Sequence, residues 1–321
     1  MAFDTSISSF ASALYRMLCA RREGFVSSCS YRIGRFARWA WLAVIGDSAV
    51  KYYFPGLGEI ILPMSHDLGP IVAKYPEYGS NLVKLAKKIG SKYPSFLAID
   101  IGANIGDTAR AIATNGARQV LCIEGARQFV PYLNANCFDS AKFVIDPIFV
   151  RWEGYTQAKT VAKSGSLRFV LGKEESIETT RAETIDAILL RRPEFASARL
   201  LKIDTDGLDL PIIQSNIGWI SNNRPILFIE YLPYFFLAHL NDAKPIFYDL
   251  TGIGYRSIMI YDHVGRYITN MNLCNMKAAD WDIFEYFRRD NDEYYAEIIL
   301  FPEADQDLSD ELVIMEREVL T

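Results

Sequence analysis

The chain has 321 residues, 50% of them hydrophobic and 23% charged, with no low-complexity tract, which describes a globular protein of one large domain or two small ones. A net charge of −5 argues against a general nucleic-acid binder living on phosphate contacts. Five scattered cysteines (Cys19, Cys29, Cys122, Cys137, Cys274) without a CxxC pair, and only three histidines (His66, His239, His263), speak against a disulfide framework and against metal chemistry built on clustered imidazoles.

The chain opens on an arginine-rich, aromatic stretch. Residues 1–45 carry six arginines (Arg16, Arg21, Arg22, Arg32, Arg35, Arg38) against Asp4 and Glu23. MAFDTSISSF lacks a basic segment ahead of an apolar core, so no secretory signal is expected, and reduced thiols fit a cytoplasmic protein. The most apolar run, FARWAWLAVIG at 36–46, holds Arg38 and is shorter than the ~18–20 residues of a membrane span. The other end is acidic: residues 280–321 hold fourteen acids and three bases. Two readings of this polarity are open. The ends are solvated faces or pack near each other, or the start touches a membrane surface or an anionic partner.

Between 96 and 301 short apolar runs alternate with amphipathic stretches: FLAIDI (96–101), QVLCI (119–123), KFVIDPIF (142–149), LRFVL (167–171), RLLKI (199–203), PILFIE (225–230) and YYAEIILF (294–301). Continuous Val/Ile/Leu/Phe runs predict strands buried on both faces of a parallel sheet. The first gap reads as a helix, capped by Asp107 or Thr108, with Ala109, Ile112 and Ala113 on one face and Gly116 at its end. The second places Phe129 and Leu133 four apart, with Pro131 in the first turn. Strand, helix, strand, helix predicts an open doubly wound α/β sheet, whose ligand sits outside the carboxyl ends of the strands. Residues 150–185, punctuated by Gly, Ser and Thr, read as hairpin and loop inserted before the fourth core strand.

The residues that end the strands carry the chemistry. The first strand runs into Asp100-Ile-Gly-Ala-Asn-Ile-Gly-Asp107, where Gly102 and Gly106 allow a tight turn and close approach of a ligand around Asn104. A GxGxxG loop receives an anionic pyrophosphate, which Asp100 and Asp107 would oppose. They suit a ligand with an amino group and a positive sulfonium, so S-adenosylmethionine (SAM) fits better than NAD. Glu124, ending the second strand, is placed to accept hydrogen bonds from ribose hydroxyls. Asp146-Pro147 in the third either flanks an adenine or makes a bend. The fourth ends in Leu200-Leu201-Lys202-Ile203-Asp204-Thr205-Asp206-Gly207-Leu208-Asp209 and the fifth in Glu230-Tyr231. Three acids and a lysine breaking out of an apolar strand are hard to explain by packing, because unpartnered burial costs several kcal/mol.

With Asp100-IGANIGD, Glu124, LLKIDTDGLD and PILFIEY in this order, the chain resembles the FkbM family of SAM-dependent methyltransferases over about residues 75–300. KIDTDG is the most specific part. Lesser matches are Phe129, Leu133 and Asn136, and Thr184-Ile185-Asp186. The family more often has Glu where this chain has Asp206. The resemblance implies a mostly parallel, seven-stranded class I methyltransferase sheet with a reversed last strand, YYAEIILF, beside SIMIYD (257–262). That domain would span 76–302, after a mostly helical extension at 1–75 and before an acidic C-terminal tail at 303–321. It also implies O-methylation of sugar or natural-product hydroxyls, in bacteria often on surface polysaccharides or glycans.

Methyl transfer is an in-line displacement that rewards positioning, and a sugar hydroxyl needs a base or a metal to become a nucleophile. Asp206 is the expected base, Asp204 lies near the transfer point, and Lys202 orients the carboxylates or the acceptor. Alternatively Asp204, Asp206 and Glu230 form an all-oxygen set for Mg²⁺. His239, His66 and His263 read as packed residues; Tyr231, Tyr234 and Phe235 are core or a wall against a sugar ring. Three other functions compete. An NAD-dependent oxidoreductase needs the same sheet but a different loop. A SAM-binding or cofactor-free scaffold needs none of the acids Asp100, Glu124, Asp204 and Asp206. An acceptor amine or carbon, in place of a hydroxyl, stays open.

Overall fold

The computed structural model describes residues 8–19, 25–152, 159–163, 166–170, 182–233, 243–287 and 295–320. Asp4, Arg21, Arg22, Glu23, Tyr234, Phe235, His239 and most of the loop at 150–185 lie outside the described residues. The N-terminal extension is not helical throughout. After α1 (Ser9–Leu18) and α2 (Phe25–Val44), an antiparallel hairpin of β1 (Ala49–Phe54) and β2 (Gly58–Pro63) leads to α3 (Leu68–Lys74) and α4 (Ser80–Lys92). Val50, Phe54, Ile60 and Leu62 supply the hairpin's buried side, and they pack with Tyr15 against Ile105, Phe129 and Tyr132. Asn136 stitches the two parts together: its Oδ1 accepts from Ile61 N at 2.8 Å and its Nδ2 donates to the Ile61 carbonyl at 2.7 Å.

The apolar runs build one sheet. β3 (Leu97–Ile101), α5 (Asp107–Thr114), β4 (Gln119–Ile123), α6 (Val130–Asn136) and β5 (Phe143–Asp146) form its first half. A short pair, β6 (Phe149–Val150) with β9 (Ala182–Glu183), and a hairpin, β7 (Lys159–Lys163) with β8 (Ser166–Val170), intervene. LRFVL therefore pairs locally with its neighbour and contributes no core strand. The second half follows α7 (Ile185–Arg191). It comprises β10 (Leu200–Ile203), α8 (Asp209–Ser215), α9 (Ile217–Asn223), β11 (Ile226–Tyr231), α10 (Lys244–Gly252), β12 (Tyr255–Asp262), β13 (Tyr267–Asn272), α11 (Asp282–Tyr286), β14 (Ala296–Pro302) and α12 (Gln306–Leu320).

The strand order is β13-β12-β14-β11-β10-β3-β4-β5, eight strands where seven were expected. The added one, β13, turns back from β12 at Gly265 (φ 85°), a left-handed turn that glycine adopts without strain. β3, β4, β5, β10 and β11 run parallel, while β14 inserts antiparallel between β11 and β12, as the reversed YYAEIILF strand requires. Alternate residues serve two cores: Ile99, Ile101, Leu201 and Ile203 face one side, Ala98, Val120, Leu200 and Phe228 the other.

Two local expectations change. Thr108 does not cap α5, whose N-cap is Gly106 (φ 89°); its hydroxyl donates to Asp100 Oδ2 at 2.7 Å. Residues 303–321 are no tail, because Leu308, Leu312 and Val313 of α12 are buried in the core beside Leu85 and Ile89 of α4. The acids of α12 meet lysines spaced four apart on α4: Lys84 reaches Glu316 at 2.7 Å and Lys88 reaches Glu311 at 2.6 Å.

Candidate active site

From β3 the chain crosses to β4 on one side, while β10 lies on the other. The crevice at such a switch point is where an open α/β sheet takes its ligand. A cavity of about 250 Å³ opens there, lined by Gly102, Asn104, Asp107, Glu124, Lys202, Asp204, Asp206 and Glu230 among others.

The glycine loop is shaped for close approach. Gly102 has φ 76°, and a Cβ on it would lie 1.9 Å from the Asp204 carbonyl oxygen, so β3 and β10 touch at their ends only because the side chain is a hydrogen. Asn104 (φ 49°) presents its backbone N–H to Glu124 Oε2 at 2.7 Å, and Ala126 N–H donates to Glu124 Oε1 at 2.7 Å. Two hydrogen bonds thus fix the carboxyl at the cavity wall. Burial nonetheless pushes the Glu124 acid up to about 7, against the opposing pull of those two backbone groups. Burial likewise raises Asp107, at the first turn of α5, to about 6.

Lys202 and Asp100 are neighbours in the β10–β3 register and both are buried. Lys202 Nζ lies 3.0 Å from Asp100 Oδ1 and 3.2 Å from Asp204 Oδ2, and donates to the Gly102 carbonyl at 3.3 Å. Burial alone would lower the ammonium's pKa, but the carboxylates of Asp100 and Asp204 outweigh it and hold the group above its ordinary value. Lys202 is therefore a fixed cation binding the loop after β3 to the turn after β10. Asp204 is the one of the three that reaches solvent, with its side chain 44% exposed.

The turn after β10 divides its acids between two jobs. Asp209 is structural: Oδ2 accepts from Thr205 N–H at 3.3 Å and Thr205 Oγ1–H at 2.9 Å, while Oδ1 accepts from Glu230 N–H at 3.1 Å. It joins the ends of β10 and β11, and burial, reinforced by Asp204, raises it to about 8. Asp206 (φ 53°) and Gly207 (φ 102°) are both left-handed, which turns the chain sharply and leaves Asp206 on the cavity wall with Asp204. Glu230 ends β11 at the same wall, and its acid is held well above the usual range by burial, then by Asp204 and Asp206.

Asp204, Asp206 and Glu230 therefore share a cavity without forming a cation site: among the described residues no group of three or more His, Cys, Asp or Glu is arranged to hold a metal. Lys202 already pairs with Asp204, and burial favours the protonated form of Glu230. Asp146 makes a bend, its carbonyl accepting from Ile148 N–H at 3.0 Å. It accepts from Arg191 Nη2 at 3.0 Å, alongside Glu183 on the same guanidinium, and the cavity wall beyond β5 comes from Ile148 and Phe149. Tyr231 is core, with its ring 5.2 Å from that of Phe284.

Several cavity residues carried no usable sequence signal. His66 comes from the extension, between the hairpin and α3; its Nδ1 accepts from Leu68 N–H at 3.1 Å, and burial lowers it to about 4, a neutral imidazole. Tyr78 and Tyr295 also line the cavity. Glu297 faces Glu230 across the β11–β14 pair and accepts from Asn81, with burial raising it to about 7.

A mostly parallel sheet with the reversed strand β14 inserted between β11 and β12, and an acid-lined crevice at its switch point, define a class I methyltransferase fold. Residues 100–256 match the family described as the Methyltransferase FkbM domain. The chain thus carries an FkbM-type methyltransferase domain over these residues. Among solved structures it is similar to the methyltransferase FkbM from Methylobacillus flagellatus KT (13% identity, TM-score 0.39), with 90% of this chain aligned but only 58% of that one. It is also similar to the O-methyltransferase from Bacillus cereus in complex with SAH (12%, 70% of this chain and 80% of that one, TM-score 0.38). A third is the N-methyltransferase NodS from Bradyrhizobium japonicum WM9 (9%, 71% and 98%, TM-score 0.36). No curated protein matches the chain.

Proposed function

We propose that the protein is a SAM-dependent O-methyltransferase whose acceptor is a sugar hydroxyl in a glycan or polysaccharide. The observation that carries this reading is the division of one cavity into a glycine-loop end, closed by Glu124, and an acidic end formed by Asp204, Asp206 and Glu230. When bound, SAM supplies a methyl group on a positively charged sulfur. The residues present fit such a cofactor: the left-handed loop at Gly102 and Asn104 lines the cavity beside it, and Glu124 retains lone pairs for ribose hydroxyls. Ile148 and Phe149 offer an apolar wall for its base. The carboxylates of Asp100, Asp107 and Asp204, offset by the single cation of Lys202, favour a positive ligand over an anionic one.

At the acidic end Asp206 is assigned as the base, removing the acceptor hydroxyl's proton as the oxygen attacks. Asp204, steered by Lys202, hydrogen-bonds a neighbouring sugar hydroxyl and holds the attacking oxygen in line. Glu230 in its protonated form donates to another acceptor oxygen. Calorimetric titration with S-adenosylhomocysteine, with NAD as control, tests the cofactor; binding of the first and not the second is expected. Product analysis of a sugar acceptor screen then tests the oxygen. Binding of neither nucleotide to folded protein overturns the proposal, and a methylated amine or carbon overturns the acceptor class.

A further inference from the structure

Helix α2 turns four bulky apolar side chains toward solvent. Ile33, Phe36, Trp39 and Val44 are 57%, 68%, 66% and 83% exposed, and their spacing puts them on one side of the helix. The opposite side is committed: a Cβ on Gly34 would lie 3.1 Å from the Leu18 backbone nitrogen of α1, and Arg38 turns inward to Asp67 Oδ1 at 2.6 Å and to the Ser65 carbonyl. Arg32 and Arg35 are exposed beside the apolar stripe, and α2 contains no acid. Of the two acids that flank it, Glu23 and Asp47, the latter accepts from Ser65 N–H at 3.0 Å. Among the described residues no helix is long and apolar enough to cross a membrane.

We infer that this face of α2 docks in the plane of an anionic lipid bilayer, and that the sugar acceptor is lipid-linked. Trp and Phe flanked by arginines are the chemistry of an interfacial helix: the rings sit at the headgroup level while guanidiniums meet lipid phosphates. Charge selects the partner, since a positive face on a protein of net charge −5 seeks an anionic surface. A second copy of the chain is disfavoured by the same feature, because apposing two such faces sets arginines against arginines. The Arg38–Asp67 pair pins α2 to the segment where His66, Asp67 and Leu68 line the cavity rim. Docking thus brings the cavity to the membrane surface. The acceptor class rests on the O-methyltransferase reading; the docking does not.

The test is co-sedimentation of the full chain with vesicles of equal parts phosphatidylcholine and phosphatidylglycerol, against phosphatidylcholine alone. Wild-type protein is expected to pellet with the anionic vesicles only, with blue-shifted tryptophan emission. The pairs Phe36→Ser with Trp39→Ser, and Arg32→Gln with Arg35→Gln, are each expected to lose about tenfold or more in vesicle affinity. S-adenosylhomocysteine titrations that coincide with wild type establish that both variants are folded. Methylation of a sugar carried on a vesicle-anchored lipid should exceed that of the free sugar, and the Phe36/Trp39 pair should abolish the difference. Wild-type protein that stays in the supernatant while binding S-adenosylhomocysteine overturns the docking, as does a dimer in light scattering that these variants dissociate. Vesicle binding without S-adenosylhomocysteine binding leaves the docking standing and removes the acceptor class with the reading it rests on.

Discussion

Asp204 and Asp206 sit two residues apart on the same cavity wall, yet their surroundings assign them different work. Asp204 is anchored 3.2 Å from a buried ammonium, so its position is fixed. Asp206 stands on the left-handed turn, one position from Gly207, where it can meet an acceptor from solvent. Replacing Asp206 by Asn keeps the shape of the turn, since Asn tolerates the left-handed region, but removes the proton acceptor. Asp206→Asn is expected to lower turnover by about 10²–10⁴-fold with unchanged S-adenosylhomocysteine affinity, measured by initial rates and calorimetry on the same preparation. Wild-type turnover would show the base to lie elsewhere. Asp100 is a different case, because Ala there strands Lys202 in the core next to an exposed partner. Its loss therefore acts on the fold as well as the cofactor.

Helix α12 shows how an acidic segment becomes part of a core. Its acids face the row Lys84, Lys88, Lys92 on α4, while Leu308, Leu312 and Val313 lie beneath them. The apolar contribution dominates. Exposed ion pairs contribute about 0–1 kcal/mol, whereas truncating a buried leucine costs about 2–5 kcal/mol. Thermal or urea denaturation should therefore show Leu312→Ala losing several times the stability lost by Lys88→Ala; comparable losses would mean that charge, not packing, holds α12. In the sequence the fourteen acids of residues 280–321 masked an i, i+4, i+5 apolar pattern in α12 that only a partner helix makes visible. The glycine loop and the strand ends were legible because each sits at the end of an unbroken apolar run. The side-chain partner of Asp146 was not legible, since Arg191 lies forty-five positions along the chain.

Concentrating carboxyl groups at one sheet edge has a consequence for the stability of the entire fold. Burial raises Glu124 and Glu297 to about 7 and Asp209 to about 8, against unfolded values near ~4. Between those limits the unfolded chain binds fewer protons than the folded one, so stability falls as pH rises from about 4 to about 8 and levels off above. Glu297→Gln should flatten this slope, recovering up to about 3 kcal/mol at pH ~8 and little at pH ~5. Melting curves of the two proteins across that range check it; parallel pH profiles would show that Glu297 is ionised in the folded state.

Local order in the chain was enough to establish the doubly wound sheet and the acids that end β3, β4, β10 and β11. These depend on short-range patterns, apolar runs and the polar residues that interrupt them, which one pass along the chain displays. Pairings between distant residues are not written locally. The register that sets Lys202 against Asp100, the use of Asp209 as a clamp, and the arrival of His66, Tyr78 and Tyr295 at the cavity all emerged from packing. So did the outward face of α2, which is set by α1 occupying the other side. Which face of an element is buried depends on what covers it, and that is decided by contacts across the fold.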